Sequence, residues 1–339
     1  MKRRGPVEIL FLNPTRRVEV ISLFEPSLQR YGSKVNVACY EPFDPTMIMA
    51  ENSVVVKLEW DADTLKHICR DWHIDLIIPY LDVDVGRLFP LTADLESSGT
   101  RVAMGSHPNT IVSLSKIATD KALREIGIPS PDQFRPESIK FPAVVKPDRG
   151  SGAVGVRKVT NDAEVLAAVK CTEEPMIQEW IEGTEYTVDA FCCSGEIMVA
   201  VPRKRLKVRG EVVIAQVTRH PRIVELCRTI CEWFHFEGCV NIQFLEDHKG
   251  NLFCIDINPR ISGGLPITIK AGVDIPAALL DYFLIGTVPQ FDDSRIQWDL
   301  IGSRWLVTEC FLHGDRYADT SLLNSYSPSS QKRAYDQHN

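Results

Sequence analysis

The chain has 339 residues, 44% of them hydrophobic and 24% charged, with a formal net charge of −7. That is enough for two or three domains with cores of their own. The acidic balance gives no global case for nucleic acid or an anionic membrane as partner, and leaves room only for local basic sites.

No apolar run approaches the length of a membrane span. Residues 1–6 are basic, but the apolar stretch 7–12 is too short for a secretion signal and stops at Asn13–Pro14. The ten cysteines include no C-x-x-C pair, and several lie inside apolar segments. Reduced, buried thiols in a cytoplasmic protein are therefore expected, not a disulfide or zinc framework.

In chain order, residues 8–12 form a strand and residues 17–31 a helix disturbed by Pro26. Residues 35–39 and 54–57 are strands, and Asp61 caps a helix running to about Trp72. Residues 74–79 are a continuous apolar strand, followed by a helix and the short strand 101–104. Parallel strands covered on both faces read this way, so the class is α/β and the first part, ending near residue 108, is a doubly wound domain. Its first strand leads into Asn13-Pro14-Thr15-Arg16-Arg17, not G-x-G-x-x-G. The dinucleotide fingerprint is missing, which disfavours a nicotinamide dehydrogenase.

Residues 115–126 form a helix closed by Gly127-Ile128-Pro129. Residues 141–146 and 154–159 form a hairpin around a Gly- and Ser-containing loop. Residues 176–181, 186–192 and 196–201 are strands, and residues 221–234 an amphipathic helix whose apolar stripe is core. Residues 240–245 and 252–258 alternate as a second hairpin with its turn at Gly250. Residues 275–284 form the last firm helix; beyond Gly314 the chain is polar and Ser-rich, and a loose tail is expected.

The second hairpin carries the chemistry. Residues two apart on a strand share a face, so Asn241 pairs with Gln243, and Asp256 with Asn258, with Arg260 next in line. One carboxylate and two amides suit Mg²⁺, which takes few protein oxygens and keeps room for phosphates. The alternative is that Asp256 caps a strand end. Arg260 can fork onto a phosphoryl oxygen. Lys146 ends a strand before a loop whose backbone N–H groups can wrap phosphates; the loop does not match the Walker pattern, and taken alone it reads equally as a hairpin turn.

Residues 179–185 offer backbone to an adenine edge and acids to ribose hydroxyls, or are a charged linker. The run Arg203, Lys204, Arg205, Lys207, Arg209 follows a strand. It is either a protected sheet edge or a clamp for phosphate or a substrate carboxylate, with Arg203, Arg205, Lys207 and Arg209 on one side by alternation. Arg16, Arg17, Asp82 and Asp84 occupy the carboxyl-end rim of the parallel sheet, where ligands bind. They read as substrate contacts, with helix capping the alternative for the two acids.

The ordered set Lys116, Gly127-Ile128-Pro129, Lys146 with its Gly-rich loop, residues 179–185, Asn241-Ile242-Gln243-Phe244 and Asp256-Ile257-Asn258-Pro259-Arg260 resembles the ATP-grasp superfamily. The likeness is to one unit of the carbamoyl-phosphate synthetase large chain and to stand-alone amino-acid ligases, over roughly residues 7–290. The resemblance implies a pre-ATP-grasp domain (1–110), a lid subdomain (111–185), a catalytic subdomain (186–313) and a tail (314–339).

It implies ATP and Mg²⁺ (or Mn²⁺) as cofactors. Lys116 and Lys146 would contact phosphates under a lid that includes Arg149, Gly150, Ser151, Gly152 and Gly155. Glu179 and the backbone of Trp180 and Ile181 would hold adenine, and Glu185 the ribose. Gln243, Asp256 and Asn258 would be metal ligands. Arg260, Asn258, Lys146 and Arg205 would be catalytic, while Arg203, Gly263 and Gly264 join the substrate side. Asp256 stands where the family more often has Glu.

With a single unit, synthesis of carbamoyl phosphate itself is not expected. The expected activity is a carboxylate–amine ligase working through an acyl phosphate, with small amino-acid-like substrates and a homodimer at the family level. The alternatives are a non-catalytic nucleotide-binding relative or a carboxylate–thiol ligase.

Overall fold

A computed structural model describes residues 6–150, 152 and 154–305, with the backbone of 310–312 and 315–317. The expected tail after Gly314 otherwise lies outside the described residues, as does Ser151.

Five short apolar segments, β1 (Glu8–Leu12), β2 (Lys34–Cys39), β3 (Asn52–Val55), β4 (Leu76–Pro79) and β5 (Arg101–Val102), form a parallel sheet in the order β3-β2-β1-β4-β5. β1 and β4 are buried almost along their whole length because helices cover both faces. On one side lie α1 (Val18–Tyr31), whose Phe24 meets Phe11 edge-on at 5.4 Å, and the later helices of the chain. On the other lie α2 (Ala62–Asp71), α3 (Asp82–Leu88) and α4 (Thr92–Ser97). Asp61 caps α2 as expected, accepting from Thr64 N at 2.7 Å.

After α5 (Pro108–Val112) and α6 (Lys116–Glu125), a small antiparallel sheet, β7-β6-β8, packs on α7 (Asp162–Lys170). Its strands are β6 (Ala143–Pro147), β7 (Arg157–Val159) and β8 (Pro175–Glu179), so the hairpin around the Gly-rich loop forms.

The largest sheet is antiparallel, in the order β13-β12-β9-β10-β11-β14. It comprises β9 (Gly183–Cys193), β10 (Glu196–Arg209), β11 (Glu211–Val217), β12 (Gly238–Asp247), β13 (Leu252–Asn258) and β14 (Ile301–Ser303). Val188, Ala190, Val240, Ile242 and Phe244 pack under α8 (Pro221–Phe234). The opposite face is polar where it meets the small sheet, and apolar where α9 (Leu265–Lys270) and α10 (Ile275–Ile285) cover it.

β15 (Cys310–Leu312) and β16 (Asp315–Tyr317) pair antiparallel with each other. Nine described cysteines are free thiols, all buried except Cys171. No helix among the described residues is long and apolar enough to cross a membrane.

One expectation is corrected here. The basic run does not follow a strand; it is the second half of β10. The ladder to β11 shifts register on either side of Lys207, and such a bulge breaks period-two alternation. Arg203 and Arg205 therefore face the polar side together with Val208, while Lys207 and Arg209 do not line it.

Candidate active site

Between the small sheet and the polar face of the large one lies a cavity of about 670 Å³. The β12–β13 ladder sets its floor. Asn241 stands opposite Asn258 and Gln243 opposite Asp256, with a register shift just beyond Gln243. The bulge turns Cys254 into the core under α8 while Asp256 keeps facing the cavity. Asn258 Nδ2 donates to Asp256 Oδ2 at 2.9 Å, and Gln243 Nε2 to Asn241 Oδ1 at 3.5 Å. Asp256 is thus a cavity carboxylate and not a strand cap.

Two lysines line the cavity on the small-sheet side. Ser115 caps α6, and the Asp148 carboxylate accepts from Ile117 N at 2.8 Å and from Ser115 Oγ at 2.9 Å. An acid at a helix N-terminus is favourable, and it ties the start of α6 to the Gly-rich loop. Lys116 is thereby placed with Nζ 2.8 Å from Gly150 O and 3.8 Å from Asp256 Oδ1. Lys146, on β6, is buried and donates to Ile255 O at 3.3 Å. Burial lowers its pKa, with Asp256 opposing and Lys116 adding to the fall.

Gly150 and Gly152 of the loop line the cavity, both with positive φ (116° and 69°), which a side chain would resist. Arg149 is largely exposed and Gly155 lies against Pro147; neither lines the cavity. Glu179, Trp180, Ile181 and Glu185 do line it. The Trp180 N–H donates to Pro142 O at 3.3 Å. Glu185 is ion-paired with Arg205, whose Nη1 also donates to Gln243 Oε1 at 3.3 Å. Burial raises the Glu185 pKa against the pull of Arg205.

At the other end, Arg260 is enclosed. Its Nη2 donates to Asp82 Oδ2 at 2.6 Å and Asn258 Oδ1 at 3.0 Å. Burial works against its charge, but Asp82, with Asp256 and Glu211 behind it, outweighs this and leaves the pKa raised. Arg203, fully buried, donates through Nε to Asp189 Oδ2 at 3.0 Å. Asp189 also accepts from Ser262 Oγ at 2.6 Å, Thr268 Oγ1 at 2.5 Å and Asn241 Nδ2 at 3.2 Å. Arg17 donates to Glu211 Oε1 at 3.0 Å from a strained loop in which Asn13, Thr15 and Arg16 have positive φ.

The rim residues divide. Arg17 lines the cavity and Asp82 touches it through Arg260. Arg16 is exposed, its backbone N–H bound to Asp44. Asp84 is fully buried away from the cavity, accepting from Trp60 Nε1 at 2.7 Å and Asn13 Nδ2 at 2.9 Å. It sits in the first turn of α3, with Leu81 at the cap, so substrate contact does not apply to Asp84 as folded.

Sequence pattern alone does not single out Asp189, Ser262 or Glu211. Asp189 had a signal, a lone carboxylate in an apolar strand on the same face as Thr187.

The family described as ATP-grasp in the biosynthetic pathway with Ter operon matches residues 172–299. A carbamoyl phosphate synthase large chain from Clostridium botulinum is 30% identical over 151 residues, covering 40% of this chain and 14% of that one. The chain thus spans a small part of such relatives. Among solved structures, the biotin carboxylase domain dimer of Hydrogenobacter thermophilus 2-oxoglutarate carboxylase, which holds MgADP, ADP and bicarbonate, superposes with TM-score 0.71 at 16% identity over 88% of this chain and 74% of that one. The L-amino acid ligase of Bacillus licheniformis gives TM-score 0.65 at 18% identity over 84% and 76%. The mixed α/β architecture of these neighbours is the one described above, and the chain carries an ATP-grasp unit.

Proposed function

We propose that this chain is an ATP-dependent ligase that joins a small carboxylate to an amine through an acyl phosphate, releasing ADP and phosphate. The observation that carries the reading is the convergence of Lys116, Lys146, Asp256 and Arg260 on one cavity. The ATP-grasp family match and the MgADP held by the biotin carboxylase neighbour support it. In this reading residues 1–110 are the pre-ATP-grasp domain, 111–185 the lid subdomain and 186–313 the catalytic subdomain.

The donor set fits Mg²⁺. Asp256 supplies one charged oxygen and Gln243 and Asn258 amide oxygens on the same face, the sparse hard-oxygen set this ion takes when phosphates complete its shell. When bound, the ion would neutralise charge on the nucleotide phosphates.

The side chains do the rest. Lys116 and Lys146 place positive charge over the phosphates, with Lys146 already in a low-dielectric setting where its charge acts strongly. Arg260 is fixed by Asp82 and Asn258, so its remaining N–H groups are oriented before substrate arrives. The carboxylate attacks the γ-phosphorus in line, ADP leaves, and the amine then displaces phosphate from the acyl carbon. Such transfer needs positioning and charge more than covalent help from the protein. The Gly-rich loop over Lys116 excludes the water that would hydrolyse the acyl phosphate.

The test is ADP release across a panel of amino acids. Asp256→Ala and Arg260→Ala are each expected to lower substrate-dependent turnover by at least about 100-fold. Near-normal turnover in both variants overturns the proposal. Nucleotide binding with no release for any substrate favours a non-catalytic binder.

A further inference from the structure

Among the described residues, five of the eleven buried side-chain polar atoms without a hydrogen-bond partner are arginine N–H groups: Arg17 Nε, Arg203 Nη1, Arg205 Nε, Arg260 Nε and Arg304 Nε. Four of these arginines line the cavity, and the fifth, Arg304, donates to Glu211 Oε2 at 3.2 Å. The unpartnered carboxylate oxygen in the same set is Asp82 Oδ1 alone. Buried donors left without acceptors are costly and call for a missing partner, and here the shortfall is of acceptors.

On the ligase reading, the nucleotide phosphates would account for the donors nearest Asp256. They do not account for Arg17 and Arg304, which meet at Glu211 beside the β10–β11 turn, or for Arg203, whose guanidinium lies beside Gly264 and Val212. Glu211 bridges Arg17 and Arg304, its side chain about half exposed (48%). Burial lowers the Arg17 pKa, and the neighbouring Arg260 and Arg304 add to the fall despite Glu211; Glu19 also approaches Arg304, its Oε2 3.7 Å from Nε.

The floor is shaped to match. A Cβ on Gly263 would come 2.7 Å from Glu211 Oε2, and a Cβ on Gly264 would clash with Arg203 Nη1. Glycine at both positions lets guanidinium and carboxylate lie directly on the backbone.

We propose that Arg17, Arg203 and Arg304, over the Gly263–Gly264 turn, form an anion subsite separate from the nucleotide phosphates. It takes a second carboxylate of the substrate, one that is not activated, and Glu211 occupies it as an internal competitor in the free protein. The proposal rests on the ligase reading and narrows its substrate class to dicarboxylic compounds. A merely structural Glu211 would weaken the site when neutralised; a competitor strengthens it.

The experiment is calorimetric titration of the full chain with glutarate, with uncharged glutaramide as control and ADP binding measured separately. Glutarate, and not glutaramide, is expected to bind. Arg17→Gln should weaken glutarate at least about tenfold, the loss of one charge-assisted contact. Glu211→Gln should tighten it at least about threefold, because Arg17 and Arg304 lose the carboxylate they share. Circular dichroism melts establish that both variants fold. Failure of ADP to bind overturns the ligase reading and leaves the glutarate titrations to decide the subsite. No glutarate binding, or any pattern other than these two opposite signs, overturns the subsite.

Discussion

Arg260, at the end of the large antiparallel sheet, donates to Asp82, in the first turn of α3, across 178 residues of sequence at 2.6 Å. Both side chains are mostly buried, 8% and 17% exposed. This ion pair locks Arg260 to the parallel-sheet part of the chain. Removing one partner of a buried pair leaves the other uncompensated. Asp82→Ala is therefore expected to lower stability by about 3 kcal/mol, read as a shift in the urea midpoint. It should also lower turnover, since Arg260 keeps only Asn258 and Ile261 O to orient it. An unchanged midpoint would show that the pair contributes nothing net.

Lys146 gives a pH signature. Its pKa in the free protein lies below 10.5 because it is buried. Phosphates arriving beside it favour the charged form and raise the pKa again. Binding then takes up a proton wherever pH lies between the two values. Nucleotide affinity should fall as pH rises through that alkaline window. Lys146→Arg, which keeps its charge throughout, should flatten the profile. Equal slopes for the two proteins would rule out Lys146 as a phosphate contact.

The part of this site that sequence made legible is local. The polar alternation Asn241/Gln243 and Asp256/Asn258 stands out against apolar strands, and the ladder places these residues opposite one another. The apolar runs 8–12 and 74–79 likewise announced buried parallel strands. Features set by one inserted residue or by distant partners were not legible. The bulge at Lys207 moved that residue off the polar face, and strict alternation could not foresee it. Arg17 with Glu211, 194 residues apart, and Arg260 with Asp82 depend on how two sheets pack. Asp84 illustrates the reverse: its neighbour Asp82 faces Arg260, whereas a further half-turn of α3 carries Asp84 into a buried pocket with Trp60 and Asn13.

That burial has its own consequence. Desolvation raises the Asp84 pKa to about 6, against hydrogen bonds from Trp60 and Asn13 that lower it. An unfolded aspartate titrates near 3.8. Between these values the folded state holds more protons than the unfolded one, so stability falls as pH rises. By pH 7 this group has withdrawn about 2 kcal/mol relative to pH 4. Asp84→Asn keeps the shape and an acceptor for Trp60 without the charge. The difference in melting temperature between variant and wild type should move in favour of the variant from pH 4 to 7. A constant difference would place the Asp84 pKa at its ordinary value.

Gly263 and Gly264 are adjacent, yet alanine should affect them unequally. At Gly263 the new methyl meets the end of the Glu211 carboxylate at 2.7 Å, a half-exposed group on a flexible stem that can turn aside. At Gly264 it meets Arg203, which is fully enclosed and held by Asp189 and Ser262. Arg203 cannot retreat without breaking the network that also fixes Asn241 and Thr268. Gly264→Ala should therefore cost about 1–3 kcal/mol, the usual range for forcing volume into a packed site, with a matching loss of turnover. Gly263→Ala should stay within about 1 kcal/mol of wild type, as side-chain relaxation permits. Chemical denaturation of the two variants side by side decides it: equal costs would mean that Arg203 is no more constrained than Glu211, and the buried Asp189–Arg203 pair would lose its standing as the frame of this end of the cavity.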